Sequence, residues 1–212
     1  IRDHLIKCQS IAMFASIRDI QGKDGRQLRR LRAMGVNGLT IGTESGDDAV
    51  LALAGKGYTA LDILEQCRKL EEAGIEYYLV YMTGLAGRGQ GRRNAENSAR
   101  LFSRLRPYII SVDSLTLLPD TALYGMAQRG AFQAAGERER IRELQTFIEG
   151  LELRVHLLAN TSTNFYPVTA FLPKERQKIL GALQEVLDTV DEAEMADYRR
   201  GLKGLDIGSQ MS

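Results

Sequence analysis

Apolar residues along this chain fall into short runs of strand length, separated by stretches in which they recur every three to four residues. The first run spans 11–17, with Arg18 and Asp19 at its C-terminal end. Asp24 and Gly25 open a helix over 26–34, with Leu28 and Leu31 on one face and arginines on the other. Gly35 is placed to end it. The run 39–41 predicts a buried strand, after which Asp47 or Asp48 caps another helix. Thr59 caps a helix over 60–73 with the stripe Leu61, Ile63, Leu64, Cys67 and Leu70, and Gly74 ends it. A third strand is predicted at 77–82. The glycine-rich basic segment 88–93 reads as a surface loop, followed by a helix over 94–105 that Pro107 stops. A fourth strand is predicted at 108–118.

Strands alternating with amphipathic helices predict parallel strands joined by right-handed crossovers. After the turn Pro119-Asp120-Thr121 the pattern changes. A short helix over 123–128 and a charged amphipathic helix over 136–150 are followed by a strand-like run at 154–159 and an extended stretch at 166–172. Pro173, favourable at the first position of a helix, opens one over 174–190. The polar tail from Asp191 is expected to fray or form one loose helix. The fold class is α/β: an open parallel β/α sheet, part of a partial TIM-type (β/α)6 barrel, with a mainly helical C-terminal extension. Four parallel strands and a fifth candidate are too few for a closed barrel of about 250 residues. The expected organisation is a core at 1–124 and an α-rich extension at 125–212.

Composition narrows the function classes. The 212 residues are 44% hydrophobic and 26% charged, with net charge +1, as in ordinary globular proteins. That balance gives no case for nucleic-acid binding. No apolar run spans a bilayer and no signal peptide is visible. Two cysteines, Cys8 and Cys67, do not suggest a disulfide framework, and a cytoplasmic location is expected. Metal binding by His156 is not expected, because no second histidine stands at ligand spacing. No phosphate-cradling loop is found: Gly84-Leu85-Ala86-Gly87-Arg88-Gly89 lacks both the Gly-x-Gly-x-x-Gly spacing and the Lys-Ser/Thr of a P-loop.

The candidate chemistry concentrates in 35–57. The strand there delivers Glu44 at its C-terminal end, and Ser45 and Gly46 make the turn. Ligands bind at that end of the strands in parallel β/α folds, so Glu44 reads as a candidate site residue, against the alternative of a solvated loop carboxylate.

Four segments in order carry a family resemblance: Gly42-Thr43-Glu44-Ser45-Gly46, Lys56-Gly57-Tyr58-Thr59, Met82-Thr83-Gly84-Leu85-Ala86-Gly87, and Ser114-Leu115-Thr116-Leu117-Leu118-Pro119-Asp120-Thr121. Together they resemble the radical S-adenosylmethionine (radical SAM) enzymes of the coproporphyrinogen III oxidase-like and Elongator-like branch, over roughly half the chain. The resemblance implies an iron–sulfur enzyme that reductively cleaves S-adenosylmethionine to a 5′-deoxyadenosyl radical for hydrogen abstraction. It implies that Glu44 hydrogen-bonds the ribose hydroxyls and that Lys56 pairs with the methionine carboxylate. Met82 would line the adenine pocket, with Thr83 and Gly84 letting backbone approach its edge. Ser16 and Arg18 would face the site from the end of the first strand. The plain alternatives are a lysine answering the helix dipole at Lys56 and core packing at Met82.

The family holds a [4Fe–4S] cluster on a Cys-x3-Cys-x2-Cys loop. Neither cysteine here lies in such a loop, and Ala86 stands where the family's turn usually has Pro. The chain begins at Ile1 within a helical pattern. The expectation is a C-terminal portion of a longer enzyme, without its cluster ligands, and with neither cofactor bound to this portion itself. Its first strand would expose an unpaired edge that another copy, or the leading helix over 2–8, covers. The small-molecule substrate is left open. His156 and Asn160 read either as part of a substrate pocket, as the resemblance suggests, or as a core histidine and a turn asparagine. The alternative to the enzyme is a non-catalytic ligand-binding or scaffold domain on a parallel β/α sheet. A plain metabolite-binding β/α enzyme is the third option. A cysteine loop encoded upstream separates the first two.

Overall fold

A computed structural model describes residues 8–202 of the chain. Six strands form one sheet in sequence order: β1 (Ile11–Ala15), β2 (Val36–Glu44), β3 (Glu76–Thr83), β4 (Ile109–Ser114), β5 (Val155–Ala159) and β6 (Val168–Leu172). The first five are parallel, and β6 returns antiparallel to β5. Neither β1 nor β6 has a second neighbour among the described residues, so the sheet is open.

Alternation along the strands divides the sheet into two faces. Leu39 and Ile41, Tyr77, Leu79 and Tyr81, Ile110 and Val112, and Val155 and Leu157 are buried and share one core. The helices α1 (Ile17–Gln21), α2 (Gly25–Ala33), α3 (Asp48–Leu53), α4 (Ala60–Ala73) and α5 (Gly91–Phe102) fall in the first three crossovers. After β4 come α6 (Ala122–Gln128) and α7 (Glu137–Gly150), and after β6 come α8 (Arg176–Thr189) and α9 (Glu192–Leu202). The intervening strand positions Thr40, Tyr78, Val80, Ser111 and Asp113 keep partial access to solvent. Tyr81 lies at the centre of the core, stacked on Phe147 with centroids 4.1 Å apart and edge-on to Phe102. Such pairs add about 0.5–1.5 kcal/mol each beyond burial.

Several sequence expectations change. The run 11–17 is cut at Ser16, which caps α1 through a reciprocal bond with Asp19; the Ser-x-x-Asp capping box outweighs the apolar continuity. The basic stretch 88–93 is a loop only to Gln90, since α5 starts at Gly91. The fourth strand ends at Ser114. Pro173 precedes α8 by three residues instead of standing at its first position. The extended stretch 166–172 supplies a sixth strand, whose pairing with β5 is non-local. The tail is not frayed through 202: α9 buries Met195, Arg199 and Leu202. The leading helix lies outside the described residues, apart from Cys8.

Candidate active site

Glu44 ends β2 in the left-handed region, at φ +64°, where the register with β3 shifts between Ile41 and Glu44. A glutamate pays about 1–2 kcal/mol for that backbone, a strain characteristic of functional positions. The bend turns its carboxylate towards Lys56. Lys56 Nζ donates to Glu44 Oε1 at 3.3 Å and to the Gly42 carbonyl at 2.7 Å. The other oxygen, Glu44 Oε2, is buried without a partner among the described residues. Burial pushes the Glu44 carboxyl above the usual carboxylate range; Lys56 opposes the rise and Asp113 adds to it.

Local sequence explains how Lys56 arrives there. α3 ends in a Schellman motif: Gly55, at φ +66°, donates to Ala52 O, and the Lys56 N–H donates to Leu51 O. Gly57 is also left-handed, and a Cβ there would lie 1.5 Å from Arg18 Nη2. The Arg18 guanidinium therefore crosses Gly57 and donates to its carbonyl at 3.3 Å. The Tyr58 hydroxyl donates to Gly42 O at 3.1 Å, and burial pushes this phenol up, so it stays a donor.

Ser16, Arg18, Gly42, Lys56 and Tyr58 line one open cleft of about 440 Å³, a volume suited to a small cofactor. Glu44 adjoins it through Gly42 and Lys56. The Ser16 hydroxyl is engaged with Asp19. Met82, Thr83 and Gly84 stand apart from this cleft, at the end of β3. Met82 is half-buried and packs against the small cluster of Val50, Leu85, Leu115 and Phe132. The Thr83 hydroxyl is buried against Ser114, and the Thr83 carbonyl accepts from the Leu115 N–H. The Gly84 N–H donates to Glu143.

The two groups are joined by buried polar residues that the sequence reading missed. Ser45 Oγ donates to Asn94 Oδ1 at 2.5 Å, and the Gly46 N–H donates to Ser98 Oγ at 2.7 Å. Asn94 Nδ2 donates to Glu143 Oε1 at 2.8 Å, and Glu143 Oε2 accepts from the Gly84 N–H at 2.8 Å. The Tyr81 hydroxyl also donates to Glu143. The signal for Glu143 was its phase: Glu137, Arg140 and Glu143 recur every three residues on the side of α7 that carries Leu144 and Phe147. Asp113, in register with Met82 and held by the Thr161 hydroxyl at 2.7 Å, is a second carboxylate near Glu44.

His156 is exposed, between the rings of Tyr108 and Phe171. That is neither a core position nor a place beside the cleft. Asn160 is exposed immediately after β5. Among the described residues no three His, Cys, Asp or Glu side chains are grouped to hold a metal ion, and no helix is long and apolar enough to cross a membrane.

No protein-family model and no curated protein matches the sequence. Solved structures do match. The archaeal Elp3 of Methanocaldococcus infernus, in an N-terminally deleted form, aligns with a TM-score of 0.62 at 15% identity, over 86% of this chain and 43% of that one. Coproporphyrinogen III oxidase (HemN) from Escherichia coli, described as a radical SAM enzyme, aligns with a TM-score of 0.53 at 19% identity, over 66% and 31% respectively. The chain thus spans less than half the length of either and shares their partial-barrel fold.

Proposed function

We propose that this chain is the S-adenosylmethionine-binding portion of a radical SAM enzyme, with Glu44 and Lys56 as its principal contacts. The observation that carries the reading is the buried, unpartnered Glu44 Oε2, next to a lysine and at the C-terminal end of a parallel strand. A buried carboxylate oxygen without a donor costs free energy, and a ribose hydroxyl is a donor of the right kind. The Lys56 ammonium, 24% exposed, suits a ligand carboxylate. The Arg18 guanidinium is a second cation on the same cleft.

S-adenosylmethionine therefore fits the residues present, whereas the cluster does not. Cys67 is buried in α4, where desolvation pushes its thiol up, and Cys8 is 59 residues away in sequence. The reading places the cluster thiolates outside this sequence. When bound at a reduced cluster, S-adenosylmethionine supplies a radical for hydrogen abstraction from a substrate. The residues here would orient its ribose and methionine ends. A cytoplasmic location suits the two free cysteines.

Calorimetric titration of S-adenosylmethionine into the chain and into Glu44→Ala is the test. Weak binding that is lost in Glu44→Ala supports the reading. Equal binding by both removes Glu44 from the site, and no binding by either counts against a cofactor pocket in this portion. The cysteine count favours one second reading, a non-catalytic domain that binds the ligand without a cluster; a cysteine loop encoded upstream would exclude it.

We also propose that the edge of β1, which has no second neighbour among the described residues and exposes Phe14 at 84%, pairs with another copy of the chain. Concentration-dependent sedimentation that Phe14→Lys abolishes would support this, and a monomer at all concentrations would rule it out.

A further inference from the structure

The helices over the sheet leave a gap. α2 packs on α4 and α5 packs on α7, but α4 and α5, on successive crossovers, stand apart across a groove of about 530 Å³. Its exposed apolar side chain is Leu61, 61% accessible, over a floor formed by the buried Leu64 and Leu101. One wall carries Arg93, Arg100 and Arg104, spaced seven and four residues apart and so on one side of α5 and the turn that follows it.

The acidic residues bordering the groove are already committed. Asp47 accepts from Ala49, Asn97 and Arg93, and Asp48 accepts from the Ala60 N–H. The arginines beyond Arg93 are not. Arg100 donates only to Asn97 Oδ1, at 3.2 Å, and the Arg104 side chain has no hydrogen-bond or ion-pair partner among the described residues. An exposed leucine beside arginines with free guanidinium forks offers a partner both apolar and charged contacts.

We propose that the α4–α5 groove is a docking site for an acidic, amphipathic α-helix of a partner protein. The partner's apolar residues would meet Leu61 over the buried Leu64 and Leu101, and its carboxylates would meet the guanidinium forks of Arg100 and Arg104. From Arg93 to the end of α5 at Phe102 the wall is about 14 Å long at about 1.5 Å per residue, or about two and a half helical turns. A helix is the fitting shape because the groove lies between two helices and has no strand edge to extend. The proposal does not depend on the S-adenosylmethionine reading.

The test uses the full chain and a fluorescein-labelled amphipathic Glu/Leu peptide of about fifteen residues, long enough to hold a helix, read by fluorescence anisotropy. A second peptide replaces every Glu with Lys. The acidic peptide should bind, and the lysine peptide should not. Affinity should fall about tenfold or more in Arg100→Glu/Arg104→Glu and again when salt rises from about 50 to about 300 mM. Leu61→Glu should weaken it as well, and the charge-reversed variant should prefer the lysine peptide. Equal affinity for both peptides, insensitivity to the arginine variants, or no binding overturns the proposal. Binding that inorganic phosphate displaces and Leu61→Glu leaves intact also overturns it, in favour of a plain anion site. The exposed substitutions should leave the far-UV circular dichroism and any S-adenosylmethionine titration unchanged, which separates this outcome from failure of the cofactor site.

Discussion

Glu143 on α7 accepts the backbone N–H of Gly84 at 2.8 Å, across 59 residues of sequence. The same carboxylate accepts from Tyr81 and from Asn94, and Asn94 accepts in turn from Ser45. One buried side chain thus ties the turn after β3 to the turn after β2, the two segments that frame the candidate site. Glu143→Ala leaves the Gly84 N–H and the Tyr81 hydroxyl without an acceptor and the Asn94 amide with only the Tyr81 hydroxyl, at about 1–3 kcal/mol for each lost bond. We expect it to lower stability by about 3–5 kcal/mol in urea unfolding, and to speed hydrogen exchange at Gly84. Glu143→Gln should cost less, about 2 kcal/mol, because its amide keeps one acceptor but turns a donor towards another.

The left-handed backbone at Glu44 makes an unusual prediction for substitutions there. Alanine normally outperforms glycine within an element. At φ +64° the order should reverse. Glu44→Gly is expected to be at least as stable as Glu44→Ala, by up to about 1 kcal/mol. Chemical denaturation of the pair measures this, and an Ala variant clearly more stable than Gly would mean that the bulge relaxes when the glutamate is removed.

Stability should also vary with pH through Glu44. Burial raises its carboxyl above the usual range in the folded chain. Below the ordinary glutamate value, about 4.3, both states are protonated and the group has no effect. Above it the unfolded chain gives up its proton first, so stability falls with rising pH until the folded carboxyl also ionises. Glu44→Gln lacks this group. The difference in melting temperature between variant and wild type should therefore move in the variant's favour across that window and stay level above it. A pH-independent difference would place the Glu44 carboxyl at its ordinary value.

Gly46 is fixed by proximity. A Cβ there would sit 2.7 Å from Ser98 Cα, a backbone atom that cannot rotate away. Gly46→Ala should destabilise by about 1–3 kcal/mol and disturb the Ser45–Asn94 bond. Truncating Ser98 to alanine in the same chain should not restore the loss, because the clash is with the main chain.

Arg199 and Glu137 form a buried pair at 2.8 Å between α9 and α7, and Arg199 also reaches Ser114 and Thr116. Removing Arg199 leaves Glu137 only its longer pairing with Arg140, at 3.5 Å. Arg199→Ala is expected to cost about 3 kcal/mol. The double variant Arg199→Met/Glu137→Gln should recover part of it, as a double-mutant cycle by thermal unfolding would reveal.

The local physics of this chain is legible in its residues. Apolar runs and capping residues placed most strands and helices of the sheet, because a buried strand or a capped helix needs only its own segment to be recognisable. Thr59, Gly74 and the Gly55-Lys56-Gly57 turn behave as their residue types require. Glu44 and Lys56 were also readable as candidate site residues, twelve residues apart, although their mutual ion pair, the unpartnered oxygen and the positive φ were not. Other features depend on residues far apart in sequence. Nothing local distinguishes Glu137, Arg140 and Glu143 as buried from the same charges on a solvated helix, since their burial follows from α9, β3 and β4 closing over them. The sixth strand exists because β5 offers it an edge, and α9 is ordered because Glu137 offers Arg199 a partner. A residue's own type sets its conformational and solvation preferences; whether a charge finds its partner, and whether a strand finds its neighbour, is decided only when distant segments meet.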